Sequence, residues 1–252
     1  MSAERAEGLP ASVGMASLLK NRLLASLPAS DRSLLQPWLE VVELPFGKIL
    51  EKPNEAITHV YFLKRGLASV VGTTADRQRI EVGMVGYEGM TGLAVVLGRD
   101  QSTNETIVQA SARAMRIPSA NLREALRSSS TLTSGLLRYV HVFMTQASQT
   151  ALAFGRARLS ERLARWLLMW QDRLRTPHLT ITHEFLALLL GVRRQGVTVA
   201  LHELEGQGLI KGTRNQVTIL DRQGLLALAG GFYGVPEIDY DRAIRKRKET
   251  HR

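Results

Sequence analysis

The chain has 252 residues, 44% hydrophobic and 22% charged, the balance of an ordinary globular protein of one or two domains. A formal charge of +10 and a pI of about 10.4 favour a polyanionic partner such as nucleic acid or an anionic surface. The absence of cysteine excludes disulfides, thiolate zinc sites and cysteine-ligated iron–sulfur clusters.

The charge is uneven. From Gly155 onward there are 17 Lys and Arg against 10 Asp and Glu, whereas the first 154 residues hold 16 and 13. The start, MSAERAEGLPASVGMASLLK, carries acidic residues and no signal-type apolar core. No run approaches the about eighteen apolar residues that span a bilayer, so a cytoplasmic chain with no membrane partner is expected.

Residues 1–16 are small and polar and read as a flexible N-terminal tail. SLLKNRLLASL (17–27) places leucines at helical spacing, and Pro28 to Asp31 stop that helix and offer caps for DRSLLQPWLE. From Val41 the texture turns β-rich: VVELPFGKIL, HVYFLKRGLASVV, RQRIEVGMVG, GLAVVLG and ETIVQASARAMRI are short runs separated by Gly, Pro and Asn. Strands at this spacing predict a small sandwich or roll over 17–127, closed by a short helix capped at Ser119.

Residues 128–155 then run without proline as one long helix. Its stripe of Leu132, Leu136, Val140, Phe143, Ala147, Ala151 and Leu152, widened by Leu137 and Met144, predicts a seam against a symmetry mate. The alternative is that the stripe packs on the chain's own roll. A further helix follows, with Leu163, Trp166, Leu167 and Trp170 facing inward. LTIT reads as a short strand, and Thr182 can cap a helix from His183 to Leu190.

In THEFLALLLGVRRQGVTVALHELEGQGLI two short helices are pinched together. Ala187 allows a close crossing, Gly191 makes the sharp turn, and Val197 packs back on the first helix. That core leaves Arg193, Arg194, Gln195 and Thr198 outside, at the start of the second helix. Guanidinium groups there oppose the macrodipole unless an anion meets them. Arginine pairs in bidentate fashion with guanine and glutamine with adenine. The plainer reading is a solvated basic helix cap. LIKGTRNQVTIL then predicts a hairpin turning at Thr213 to Asn215, whose Lys211, Thr213 and Arg214 can hold phosphate, and Asp221 caps the next helix. Thr182 and His183 stand at the start of the first of these helices. Residues 156–231 thus form a winged helix-turn-helix, and 232–252 a C-terminal basic tail with Glu237, Asp239, Asp241 and RKRKET.

The phrases LSERLARWLL, LALLLGVRRQGVTVALHELEGQGLI and VTILDRQGL resemble the C-terminal domain of the Crp–Fnr regulators, and the order of textures extends the resemblance over nearly the whole chain. It implies an α+β architecture: an N-terminal double-stranded β-helix (jelly-roll-like) sensor domain, a long dimerisation helix and a C-terminal winged helix-turn-helix. It implies a homodimer on double-stranded DNA, a palindromic site, contact with RNA polymerase and control by an unknown effector through the roll.

The sequence also departs from the family. Gln195 and Gly196 replace the glutamate and threonine that usually follow the first arginine, and Val199 stands where a second arginine is usual. His183 replaces a phosphate-contacting arginine. In the roll, Asn104-Glu105-Thr106 occupies the place of the arginine motif that grips a cyclic phosphate. Effector contacts are then left to Gly86, Glu88, Arg99 and Arg113. Nucleophile elbow, phosphate-binding glycine loop and HExxH are absent, so neither an enzyme nor a metal site nor a cofactor is expected. The competing class is a ligand-binding signalling module, possibly responsive to a cyclic nucleotide, whose winged helix contacts protein.

Overall fold

A computed structural model describes residues 14–244 of the chain. The RKRKET motif and most of the expected N-terminal tail lie outside the described residues.

Three short helices, α1 (Met15–Leu18), α2 (Arg22–Ser26) and α3 (Ala29–Leu35), lead into the β-region. The single helix expected over 17–27 is broken because Asn21 is used as a cap: its side chain accepts from Leu24 N at 2.9 Å. The same buried amide donates to Leu63 O and Gly89 O, tying the N-terminal segment to the roll.

The strands are β1 (Glu40–Leu44), β2 (Ile49–Glu51), β3 (His59–Thr73), β4 (Arg79–Val85) and β5 (Glu105–Pro118), all pairing antiparallel in the order β1-β5-β3-β4, with β2 also on β5. Shifts in register around Arg65 and Leu67 curl β3 against β5. Gly66 permits this with φ +85°, and a Cβ there would lie 2.4 Å from Ala112 Cα. One β-rich run is corrected: Leu93–Val96, within GLAVVLG, is the short helix α4. Its apolar run is continuous rather than alternating, a pattern that does not separate strand from helix.

Helix α5 (Ser119–Ser128) follows β5. Ser119 is its first residue rather than its cap; that place belongs to Pro118. Helix α6 (Ser130–Arg156) starts under a Ser129 cap that accepts from Leu132 N at 3.1 Å. Buried Asp31 accepts from Ser129 and Thr131 at the same end, where a carboxylate complements the helix dipole.

The stripe on α6 divides between the two expected roles. Leu132, Leu136, Val140 and Phe143 are buried within the chain, Phe143 against Gly83, where a Cβ would approach its ring to 2.7 Å. Leu137, Met144 and Leu152 stay exposed. With His141, Ser148 and Ala151, also exposed, Leu137 and Met144 form a row spaced alternately by four and three residues. That row has heptad spacing on the outer face.

The C-terminal unit comprises α7 (Leu159–Leu174), β6 (His178–Thr180), α8 (His183–Leu190), α9 (Arg194–Gly206), β7 (Ile210–Thr213), β8 (Gln216–Ile219) and α10 (Arg222–Ala229). Its strands pair in the order β6-β8-β7. Leu163, Trp166, Leu167 and Trp170 are buried as expected, with the two indoles stacked at 5.5 Å. Leu67 and Met84 of the roll join the same core, so the two units share apolar surface.

Of the expected C-terminal tail of 232–252, residues 245–252 lie outside the described residues, and most of the part before them is helical. Val235–Ile244 forms helix α11, which packs along α6. Tyr240 and Ile244 enter the core below α6, Tyr240 donates to Glu88 O, and Asp241 pairs with Arg22 at 2.5 Å. The polar residues in VPEIDYDRAI mask a sparse apolar spacing at Ile238-free positions 236, 240 and 244, four residues apart.

Candidate nucleic-acid interface

Each part of the pinched motif has a local cause. Thr182 accepts from Phe185 N at 3.2 Å and starts α8 at His183. Gly191 ends it with φ +61° and ψ +39°, a conformation that carries a Cβ penalty in any other residue. Ala187 and Val197 are buried where the helices cross. The turn lies directly on the roll: a Cβ on Gly191 would come within 2.9 Å of Ile80 Cδ1 of β4.

Arg193 is the N-cap of α9, without a side-chain cap bond, and Arg194 is its first residue. Arg193, Arg194 and Gln195 are exposed. Arg194 Nε is 2.9 Å from Glu184 Oε1, with both side chains mostly in solvent. Exposed pairs of this kind contribute little, so the guanidinium can exchange its partner for an anion at small cost. Thr198 is half-buried and already engaged: it bonds His183 Nδ1 at 3.0 Å and donates to Arg194 O. His183 and Thr198 thus brace α8 against α9.

Two further residues on the outward face of α9, not named as candidate base contacts from the sequence, are exposed. Val199 is 68% exposed and His202 is exposed. Gln195, Val199 and His202 are spaced i, i+4, i+7, which is one face of a helix and was available as a signal. An exposed valine on such a face suits the methyl group of thymine.

The wing forms where expected. β7 and β8 join through Arg214 and Asn215, with Asn215 at φ +58°. Lys211, Thr213 and Arg214 are exposed, and Gly212 N donates to Glu205 Oε1 at 3.0 Å, fixing the wing to the end of α9. Asp221 caps α10 through Gly224 N. The exposed cations of α9 and the wing form two clusters with no carboxylate pair other than Glu184 among the described residues.

The four candidate effector residues are not brought together. Gly86 and Glu88 lie in the turn after β4, and the ion partner of Glu88 is Arg173 of α7, at 2.9 Å. That contact is off the axis of a hydrogen bond, leaving Arg173 Nε unmatched. Arg113 faces outward on β5 and pairs with Glu43, while Arg99 is exposed beyond α4. Glu105 pairs with Arg79. Among the described residues the buried arginines are Arg165 and Arg173, both on α7, so the roll interior holds no guanidinium. It holds two carboxylates instead. Burial raises the carboxyl of Glu51 above its ordinary range and pushes that of Glu81 up to about 7. A cyclic phosphate would meet acids where it needs a base.

No cluster of three or more His, Cys, Asp or Glu suited to a metal ion occurs among the described residues, and no described helix is long and apolar enough to cross a membrane.

Residues 161–228 match the Crp-like helix-turn-helix domain, and residues 41–129 match the cyclic nucleotide-binding domain. No curated protein matches the chain. Among solved structures, a regulator of the Crp/Fnr family from Eubacterium rectale is 21% identical with a TM-score of 0.66, covering 82% of this chain and 97% of its own. FixK2 from Bradyrhizobium japonicum is 18% identical at 0.66, over 76% and 98%. A Crp-family regulator from Thermus thermophilus is 21% identical at 0.61, over 75% and 96%. At these identities the likeness is one of fold.

Proposed function

The chain belongs to the Crp–Fnr family of DNA-binding transcription regulators, and from that premise we propose that it acts as a homodimer on a palindromic duplex site, controlled through its β-roll. The observation that carries this reading is the exposed Arg193-Arg194-Gln195 start of α9, flanked by a wing bearing Lys211 and Arg214. The N-terminal end of such a helix enters the major groove, where Arg194 and Gln195 have base edges of matching geometry. Arg193, Lys211, Thr213 and Arg214, with Thr182 and His183 at the start of α8, hold the phosphates and set register without reading sequence.

Thr198 has a different part from the one its position suggests. Its hydroxyl is bonded to His183, so it orients the base-reading end of α9 rather than reading a base itself. The exposed heptad row on α6 supports the dimer, because two copies of Leu137 and Met144 have no other apolar cover. Twofold symmetry then spaces the half-sites by one helical turn, about 10 bp. The docking of Gly191 on Ile80 gives the roll a direct hold on the helix-turn-helix, the route by which an effector alters DNA affinity and RNA polymerase recruitment.

The test is selection of bound duplexes from a randomised pool by the purified full chain, followed by competition with unrelated DNA. Recovery of an inverted repeat supports the proposal. Equal retention of all sequences, or no retention at low salt, overturns it in favour of a module whose winged helix contacts protein.

A further inference from the structure

The turn after β4, the middle of α6, the end of α7 and the helix α11 enclose a cavity of about 600 Å³. Cavities of this size accept small organic molecules. It adjoins the roll interior: Phe143 and Gln146 of α6 line it and also pack against Gly83 and Met84. Its walls come from both halves of the molecule: Tyr87 and Arg22 from the roll side, Asp172, Arg175 and Arg222 from the winged-helix side, and α11 between them.

The floor is apolar and aromatic. Tyr139, Val142, Phe143, Pro236 and Tyr240 are all buried and line it. Flat rings stack on such surfaces in offset or edge arrangements. The rim is charged but almost neutralised. Arg22 pairs with Asp241 at 2.5 Å, Arg222 with Asp172 at 2.7 Å, and Glu237 accepts from Gly234 N. Outside ion pairs among the described residues stand Glu237 and one cation, Arg175. Arg175 lies with its guanidinium 3.8 Å from the centre of the Tyr87 ring. Its backbone is held at φ +56°, a conformation unfavourable for a residue with a Cβ, at the C-cap of α7.

We propose that this cavity binds a monoanionic aromatic carboxylate of one or two rings, its ring on the Tyr139–Tyr240 floor and its carboxylate on Arg175. A cation would have Glu237 alone to meet, since Glu88, Asp172 and Asp241 already have arginine partners, and it would face the guanidinium of Arg175. A phosphate ester carrying two charges is disfavoured because a second guanidinium would have to leave its aspartate. A carboxylate matches the fork of one arginine in bidentate fashion. Bound there, the ligand touches the roll, α7 and α11 at once, so it fixes the angle between the roll and the winged helix. This last step rests on the reading of the chain as a DNA-binding regulator; the site itself does not.

Isothermal titration calorimetry on the full chain with indole-3-acetate and 4-hydroxycinnamate tests the site, with their methyl esters and cyclohexanecarboxylate as controls. One acid at least binds saturably at one per chain, and its ester and the saturated acid bind at least about tenfold more weakly, the weight of a charge-assisted bidentate pair. Arg175→Gly is the informative variant, since glycine adopts the positive φ freely and keeps the fold while removing the guanidinium. It weakens the acid by about tenfold and leaves the ester unchanged. Absence of saturable binding by both acids, or equal affinity of the variant and the parent, overturns the proposal. DNA affinity, measured by fluorescence anisotropy with and without saturating acid, separates the two readings. Acid binding in a chain that retains no DNA sinks the regulator and leaves the site, and DNA binding without acid binding does the reverse.

Discussion

Trp166 donates its indole N–H to Glu81 Oε1 at 3.0 Å, so the first helix of the winged-helix unit is hydrogen-bonded into the interior of the β-roll. The other carboxylate oxygen of Glu81 accepts from Ser69 and Gln109. Burial nevertheless dominates, and it pushes the carboxyl up to about 7 from an ordinary 4.5, with the hydrogen bonds from Ser69 and Trp166 and then the charge of Arg173 pulling the other way.

The folded chain therefore holds a proton on Glu81 that the unfolded chain has released between these two values. Stability falls as pH rises from 4.5 and levels off above about 7. The loss is of the order of 3 kcal/mol at about 1.4 kcal/mol per pH unit. Urea unfolding at about pH 5.5 and about pH 8 captures about 2 kcal/mol of it, since the first unit of the fall lies below the lower pH. Glu81→Gln, which keeps the shape and cannot ionise, flattens that difference and is the more stable form at the higher pH. An unchanged slope in the variant assigns the pH dependence elsewhere.

Arg194 and Arg214 are expected to fail in different ways. Arg194→Ala costs about 1–3 kcal/mol on the selected site and relaxes one base position. Arg214→Ala weakens all sequences alike and lowers the slope of log affinity against log salt by about one. Anisotropy titrations over a salt series on matched and mismatched duplexes distinguish the two. Uniform weakening by Arg194→Ala makes that residue a phosphate anchor.

Val199 gives a sharper test of the outward face of α9. Its exposed methyl groups suit a thymine methyl, worth about 1 kcal/mol at the usual value for a buried carbon. Replacing one thymine of the site by uracil weakens the parent by that amount. The same replacement leaves Val199→Ala indifferent. A parent that does not distinguish thymine from uracil at any position removes Val199 from the interface.

The winged helix was legible because its turns need particular residues. Gly191, Thr182 and Asp221 each occupy a place that only a few side chains can fill, and their roles follow from the sequence. Helix α11 was not legible, because Pro236, Tyr240 and Ile244 make a thin apolar line among charges that reads as solvent-exposed until α6 is seen beneath it. Asn21 shows a further limit. An asparagine in a leucine-rich run looks helical, and only its partners Leu63 O and Gly89 O, distant in sequence, explain why the helix breaks there. The cavity beside α11 belongs to the same class, since its walls are drawn from six separated segments.

The outer row of α6 shows how one apolar periodicity can cover two faces of a helix. Leu132, Leu136 and Val140 satisfy the periodicity but are buried in the chain's own core, so Leu137, His141, Met144, Ser148 and Ala151 are the exposed row available to the partner we propose. In a twofold coiled seam Met144 opposes its own copy or a neighbour one turn away. Met144→Glu places like charges in that contact and removes apolar cover, while in the monomer the side chain is 60% exposed and tolerates the change. Sedimentation velocity then shows the parent as a dimer and the variant as a folded monomer with the parent's circular dichroism. Because half-site contacts add in a dimer, the variant also loses cooperative binding to the inverted repeat, while retaining weak binding to a half-site. A variant that stays dimeric assigns the partner surface to another part of the molecule.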